Sequence, residues 1–181
     1  IEEHSDKNSS YPHMISDSNY WTKMLLSFGI TNHDHIIVYD HSHLYSACRL
    51  WFVLRYFGHK KVSILNGGFQ KWLKEKKPVT QKIDIIEKAD NYLINENNDW
   101  IKNKKQIDEN IKSNSFVLVD ARSRDRFEGK KEEPRPGLKK GCVPGSKNIP
   151  FQNCINVATN TFKSKSELVN IFKENNVDYY K

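Results

Sequence analysis

His35-Ile36-Ile37-Val38-Tyr39-Asp40 is a short, nearly unbroken apolar run that ends on a carboxylate. A run of that length predicts a strand buried on both faces of a parallel sheet. Beyond it, apolar residues recur at 44, 47, 48, 51, 54 and 57, which is one face of a helix closed by Gly58. Lys61 to Leu65 predicts a second buried strand, Asn66-Gly67-Gly68 a turn, and Phe69 to Lys74 a short helix behind it. Before the run, Asp17 to Phe28 predicts a helix with Ser16 or Asp17 as cap and Gly29 as stop. This β-α-β-α order places the chain in the α/β class.

From Pro78 to about Asn103 the pattern breaks into strand-like pieces and polar residues, which predicts an interdomain linker over 79–103. A polar helix from about Trp100 to Lys112 follows, then Phe116 to Asp120 as a further buried strand. The loop from Ala121 to Asn148 is rich in Arg, Glu, Gly and Pro, and a loop of that length points to function. Ser164 and Glu167 form a capping box that opens a helix to about Asn175.

The helix near 17–28 with Gly29-Ile30-Thr31-Asn32 after it resembles the helix near 165–175 with Asn176-Val177-Asp178 after it. In the first copy a strand begins at His35; the second copy reaches Lys181 where its strand is due. Completing it takes roughly 40 residues, and the same spacing puts about 30 ahead of Ile1. The expectation is a piece of a longer two-domain protein, cut at both ends, that folds poorly or associates when isolated because Val117, Val119 and Phe172 lack cover.

Composition narrows the function. The chain has 181 residues, 29 Lys+Arg against 22 Asp+Glu, a net charge of +7, and 12% aromatic residues, too many for a disordered segment. No apolar run nears the roughly 18 residues of a membrane span. Of the basic residues 23 are Lys, scattered along the chain, which argues against a nucleic-acid surface; Arg122, Arg124, Arg126 and Arg135 instead fall within 14 residues. Arginine's rigid fork suits a small anion. Three singly placed cysteines, 48, 142 and 154, make neither a disulfide framework nor a zinc site, and the absence of a visible leader adds a cytoplasmic expectation. The pairs His33/His35 and His41/His43 lack a third ligand, and Gly67-Gly68 lacks a dinucleotide series, so neither metal nor cofactor is expected.

Several segments together are similar to a known family. Tyr11-Pro12-His13-Met14, the run 35–40, Ala47-Cys48-Arg49-Leu50-Trp51, Arg55-Tyr56-Phe57-Gly58-His59 and Val62 through Phe69 resemble the first domain of tandem-domain rhodaneses, the thiosulfate and 3-mercaptopyruvate sulfurtransferases. Val119-Asp120-Ala121-Arg122, Arg126-Phe127, the stretch 132–138 and Gly141-Cys142-Val143-Pro144-Gly145-Ser146 resemble the second. The resemblance implies two rhodanese-like α/β domains, each an open, mainly parallel sheet flanked by helices. Residues 1–78 would be part of an inactive first domain and 104–181 part of a catalytic second domain.

It also implies a chemistry. A Cys thiolate takes sulfur from a small anionic donor, 3-mercaptopyruvate or thiosulfate, becomes a persulfide and passes the sulfur to a thiol or cyanide-type acceptor. That Cys would lie beyond Lys181, so the 181 residues alone are expected to be inactive. Asp40 stands at its first-domain counterpart. Arg126 and Arg135 match the positions that hold the donor's anionic group; otherwise they would pair with Glu128, Glu132 or Glu133. Glu2 and His13 match an acid–base pair of the mercaptopyruvate branch, and the stretch 132–138 leans the same way. Arg122 is expected to brace the loop against Asp120. Cys48 reads as a core thiol, and Cys142 stands where the family has His. The rivals are a non-catalytic anion- or partner-binding module and a rhodanese-type phosphatase.

Overall fold

The computed structural model describes residues 2–42 and 44–178, and they fall into two compact units, Ile1–Ile101 and Lys102–Lys181. The first unit runs α1 (Ser18–Ser27), β1 (Ile36–Val38), α2 (Tyr45–Tyr56), β2 (Val62–Ile64) and α3 (Gly68–Lys74), the predicted order. The Asp17 side chain accepts the Tyr20 N–H and so caps α1. β1 and β2 pair in parallel, with Ile36 opposite Val62 and Val38 opposite Ile64.

Side chains alternate across a strand, so Ile36 and Val38 point one way and Ile37 and Tyr39 the other. The first pair meets Leu25 of α1, Ala47 and Leu54 of α2, and Val62. The second pair is open: Ile37 is 51% exposed and Tyr39 57%. The expectation of a strand buried on both faces is therefore corrected: on the second face Phe69 of α3 stacks on Tyr39 at 5.8 Å but leaves Ile37 and Tyr39 about half exposed. A second cluster, Trp21, Val53, Tyr56 and Phe57, joins the far sides of α1 and α2.

The expected linker is also more than a linker. Its second half packs back on the first unit as an extended strap. Tyr92 is buried in the core beside Leu25 and Val38, and Ile94 packs beside it. The Tyr92 hydroxyl lies 2.7 Å from His59 Nδ1, and His59 Nε2 lies 3.0 Å from the Asp34 carbonyl. A carbonyl only accepts, so Nε2 donates to Asp34, and in the neutral ring Nδ1 is then the acceptor of the phenol. Burial pushes the Tyr92 phenol up to about 12. Asn32 clasps the strap as well, accepting the Leu93 N–H and donating to the Leu93 carbonyl, both at 2.8 Å. The strap lies against the two helix-stop glycines, Gly29 (φ +65°) and Gly58 (φ +86°): a Cβ there would stand 2.5 Å from Glu87 O and 2.7 Å from Asn95 O.

The second unit holds α4 (Lys104–Ser113), β3 (Val119–Asp120), α5 (Arg124–Phe127), β4 (Lys147–Asn148), the hairpin β5 (Ile155–Asn156) and β6 (Thr161–Phe162), and α6 (Lys165–Glu174). β3 and β4 pair in parallel, and β5 and β6 antiparallel. The predicted capping box is made, Ser164 and Glu167 closing it at α6, and a second one that was not predicted, Asn103 with Gln106, opens α4. Buried Asn110 holds the next turn, accepting from Phe116 N–H and Ser115 Oγ and donating to Phe116 O. Strand β3 is shorter and less covered than its sequence predicts, with Val117 and Val119 exposed. Ile149 and Val177 are the buried apolar residues among this unit's described residues. Among the described residues no helix is long and apolar enough to cross a membrane.

Candidate functional site

The loop after β1 turns inward on one carboxylate. Asp40 Oδ1 accepts the N–H groups of Ser42 (3.1 Å) and Leu44 (3.2 Å). Its Oδ2 accepts Ala47 N–H (2.7 Å), Ser46 Oγ (2.8 Å) and Ser42 Oγ (3.1 Å). These donors come from the loop and the first turn of α2, whose N–H groups have no partner inside the helix. Burial alone would raise the carboxyl; bonds from Ala47, Ser46 and Ser42 outweigh it and hold Asp40 below the usual range. Leu44 joins loop to helix in left-handed backbone (φ 69°) while 1% exposed, a strained conformation held by its packing. The result is an anion cradle already filled by its own aspartate.

The loop after β3 is built from long charged side chains. Arg122 donates from Nε to both oxygens of Asp120 at 3.0 Å and from Nη2 to Oδ2 at 2.5 Å. The same guanidinium reaches Gly141 O and Glu133 Oε1, both at 2.7 Å. Arg122 thus braces the loop as expected. Its hydrogen bonds, ahead of burial in the opposite sense, hold Asp120 low. Asn148 donates from Nδ2 to the carbonyls of Asp120 and Arg122 at 2.9 Å and ties the loop's two ends together.

Arg126, on α5, places Nε 3.3 Å from Glu133 Oε1 and donates from Nη2 to Oε2. The fork expected to face a donor is thus turned onto Glu133, one of the three acidic partners named as the alternative. Arg126, and then Arg122, keep the Glu133 carboxyl below its usual range. Arg135 lies on the exposed stretch between Glu133 and Gly141. Outside this knot, Arg124 pairs with Glu128 at 2.7 Å, Lys130 with Glu128 at 2.5 Å, and Lys140 with Glu132.

The Glu2 side chain lies outside the described residues; the backbone of Glu2–His4 makes one 3-10 turn. That segment runs beside the one that follows His13, because Ser5 bridges Ile15 and Asp6 N–H donates to Met14 O. His13 itself is half-buried in left-handed backbone (φ 62°), and its carbonyl accepts from Arg49. Arg49 was not singled out in the sequence, where nothing separates it from other helix arginines.

All three cysteines are free. Cys48 is half-buried, and burial, then Asp40, raises its thiol; burial raises Cys154 too. A thiol with a raised pKa is a poor nucleophile. Cys142 is exposed beside Gly141. His35 Nε2 sits 2.9 Å from Ser63 Oγ and the His41 ring lies tilted against Phe69, while His43 lies outside the described residues. Among the described residues no group of three or more His, Cys, Asp or Glu is placed to hold a metal ion.

Comparison with known proteins supplies relatives along the whole chain. Residues 6–75 match the model of the rhodanese-like domain. The whole chain aligns with mouse 3-mercaptopyruvate sulfurtransferase at 37% identity, covering 61% of that protein, and with bovine thiosulfate sulfurtransferase at 40%, again covering 61%. It superposes on the crystal structure of SseA from Escherichia coli, described as a 3-mercaptopyruvate sulfotransferase, with a TM-score of 0.85 and 29% identity. That match takes in 99% of this chain and 66% of SseA. Residues 6–75 are a rhodanese-like domain. The chain's α/β architecture is rhodanese-like, and the chain spans about three fifths of the length of the mouse and bovine relatives it matches. The rhodanese model falls on the first unit, whose loop is closed on Asp40.

Proposed function

We propose that the protein containing this chain is a sulfurtransferase that moves sulfur from 3-mercaptopyruvate or thiosulfate to a thiophilic acceptor through a Cys persulfide. The observation that carries the proposal is alignment over 98–100% of the chain with proteins bearing those two names, at 34–40% identity. The site chemistry supports it. Asp40 cannot carry sulfur, and neither Cys48 nor Cys154 has the lowered pKa a sulfur-accepting thiolate needs. The nucleophile is therefore assigned to none of these, and the sequence expectation places it in further length that the relatives possess. Arg126 and Arg135 are assigned to the donor's anionic end, with Glu2 and His13 as a proton relay for the keto acid. Three free thiols fit a reducing compartment, the cytoplasm in this proposal.

Identity does not choose between the donors, since 37% to one relative and 40% to the other are equivalent. The test is made on the complete protein. Incubation with each donor should add one sulfur to a single cysteine, seen by intact-mass analysis, and cyanide should release it as thiocyanate. A complete protein that takes sulfur from neither donor would leave the anion-binding module as the function.

A further inference from the structure

The charges around Arg126 sum to zero. Two guanidinia, Arg122 and Arg126, face two carboxylates, Asp120 and Glu133, and the Glu133 side chain is only 4% exposed. Arg122 is spent on Asp120, Glu133 and the Gly141 carbonyl. Arg126 offers Glu133 its Nε–Nη2 edge, the edge that reads a carboxylate with two parallel bonds. A carboxylate bound there is what an anionic ligand would look like, and the protein has supplied its own.

Resting on the sulfurtransferase proposal above, we propose that Glu133 is an internal competitor for the donor. Its carboxylate fills the Arg126 fork in the resting protein, and the carboxylate or sulfonate end of the donor displaces it on binding. Arg122 stays locked to Asp120 and retains its own bond to Glu133, so the displaced side chain is held within reach of the fork and returns to it. The physical reason for such a device lies in the product. A spent keto acid carries the same carboxylate as the donor it came from. A fork that is always open would hold both alike, which adds to affinity and nothing to turnover. A resident competitor weakens both and speeds release. Glu133 is then a residue that sets affinity and release rather than a catalytic one.

The experiment is calorimetric, on the complete protein, with pyruvate and sulfate as unreactive probes. Glu133→Gln and Glu133→Ala should each tighten pyruvate binding about 10-fold, which is about 1.4 kcal/mol. Glu133→Asp, which keeps the charge at poorer reach, should give a smaller gain. Adding Arg126→Ala to Glu133→Gln should erase the gain. In turnover, KM for 3-mercaptopyruvate should fall together with kcat, as release becomes slow. If Glu133 instead holds Arg126 in its binding pose, Gln and Ala will both weaken pyruvate binding, and the proposal is overturned; unchanged binding overturns it equally. The binding arm contains no chemistry. Tightened binding without sulfur transfer would therefore refute the sulfurtransferase proposal and leave the competitor standing, while transfer with weakened binding would do the reverse. A gain for sulfate alone would also overturn it, since the edge-on fork is matched to a planar carboxylate.

Discussion

Two loops in this chain start from an aspartate at the end of a parallel strand, and they use it in opposite ways. After β1, Asp40 collects three backbone N–H groups and two hydroxyls within seven residues of itself. After β3, Asp120 takes its carboxylate bonds from Arg122, two residues on, whose guanidinium reaches across to Glu133 and Gly141. Backbone donors are fixed in place by helix and loop, so the first arrangement is closed. Guanidinium and carboxylate partners sit on rotatable stems, so the second can exchange one anion for another. A transient ligand is suited by the second kind of loop, where the proposal puts it.

The comparison is broken most severely through the packing on which the first loop rests. Leu54→Ala opens a cavity under β1 and the strap, and should cost about 2–5 kcal/mol in urea unfolding. A loss well under that range would mean the Asp40 cradle stands without the core. Next comes Asp40→Ala, which strands the N–H groups of Ala47 and Leu44 and should cost about 1.5–3 kcal/mol. Asp120→Ala should cost less, because Arg122 keeps Glu133 and can turn to water. Equal costs would erase the distinction between a closed and an exchangeable loop.

Acid sharpens the same contrast. Both carboxyls are held low when folded. A depressed folded pKa adds stability that is fully present above the unfolded value, about 3.9, and is lost as pH falls through the folded value. The stability gap between wild type and Asp40→Asn should be full at pH 7 and shrink below about pH 4. A gap that persists at low pH would show that packing rather than charge holds the loop. For the second loop, Arg135→Ala in the complete protein should lower kcat/KM for 3-mercaptopyruvate about 10- to 100-fold, equivalent to about 1.5–3 kcal/mol, and thiosulfate much less. Equal losses would mark a general anion site. The smallest effect belongs to a local feature: Ser164→Ala, removing the α6 cap, should cost about 1 kcal/mol.

Features decided within a few residues were legible in the sequence. The caps of α1 and α6, the stops at Gly29 and Gly58, and the Arg122–Asp120 brace all depend on spacings of two to four. The strap was not, because polar Asn95, Asn97 and Asn98 dominate its average while its alternation carries the signal: Tyr92 and Ile94 face the core and Leu93 faces out. Buried His59 gave no sign of its partner 33 residues away. The sequence marks Arg126 as an anion-binding candidate, but its resident partner is only one of three acidic candidates, since nothing local distinguishes Glu133 from Glu128 or Glu132. Coverage of β1 was overestimated because a continuous apolar run records what a strand tolerates on each face, not what lies there.

Gly29 and Gly58 tie the history of this chain to its geometry. Each is held by two independent conditions: a left-handed backbone that disfavours any side chain, and a strap carbonyl standing where a Cβ would go. Relief of either condition alone leaves the other in force. A shifted strap would not make an alanine comfortable at φ +86°, and a reshaped helix end would not clear Asn95 O. Escape from glycine at these positions needs two coordinated changes far apart in sequence, so single-step mutation has no productive route there, and the two notches form a lock that drift in the exposed stretch 79–85 leaves untouched.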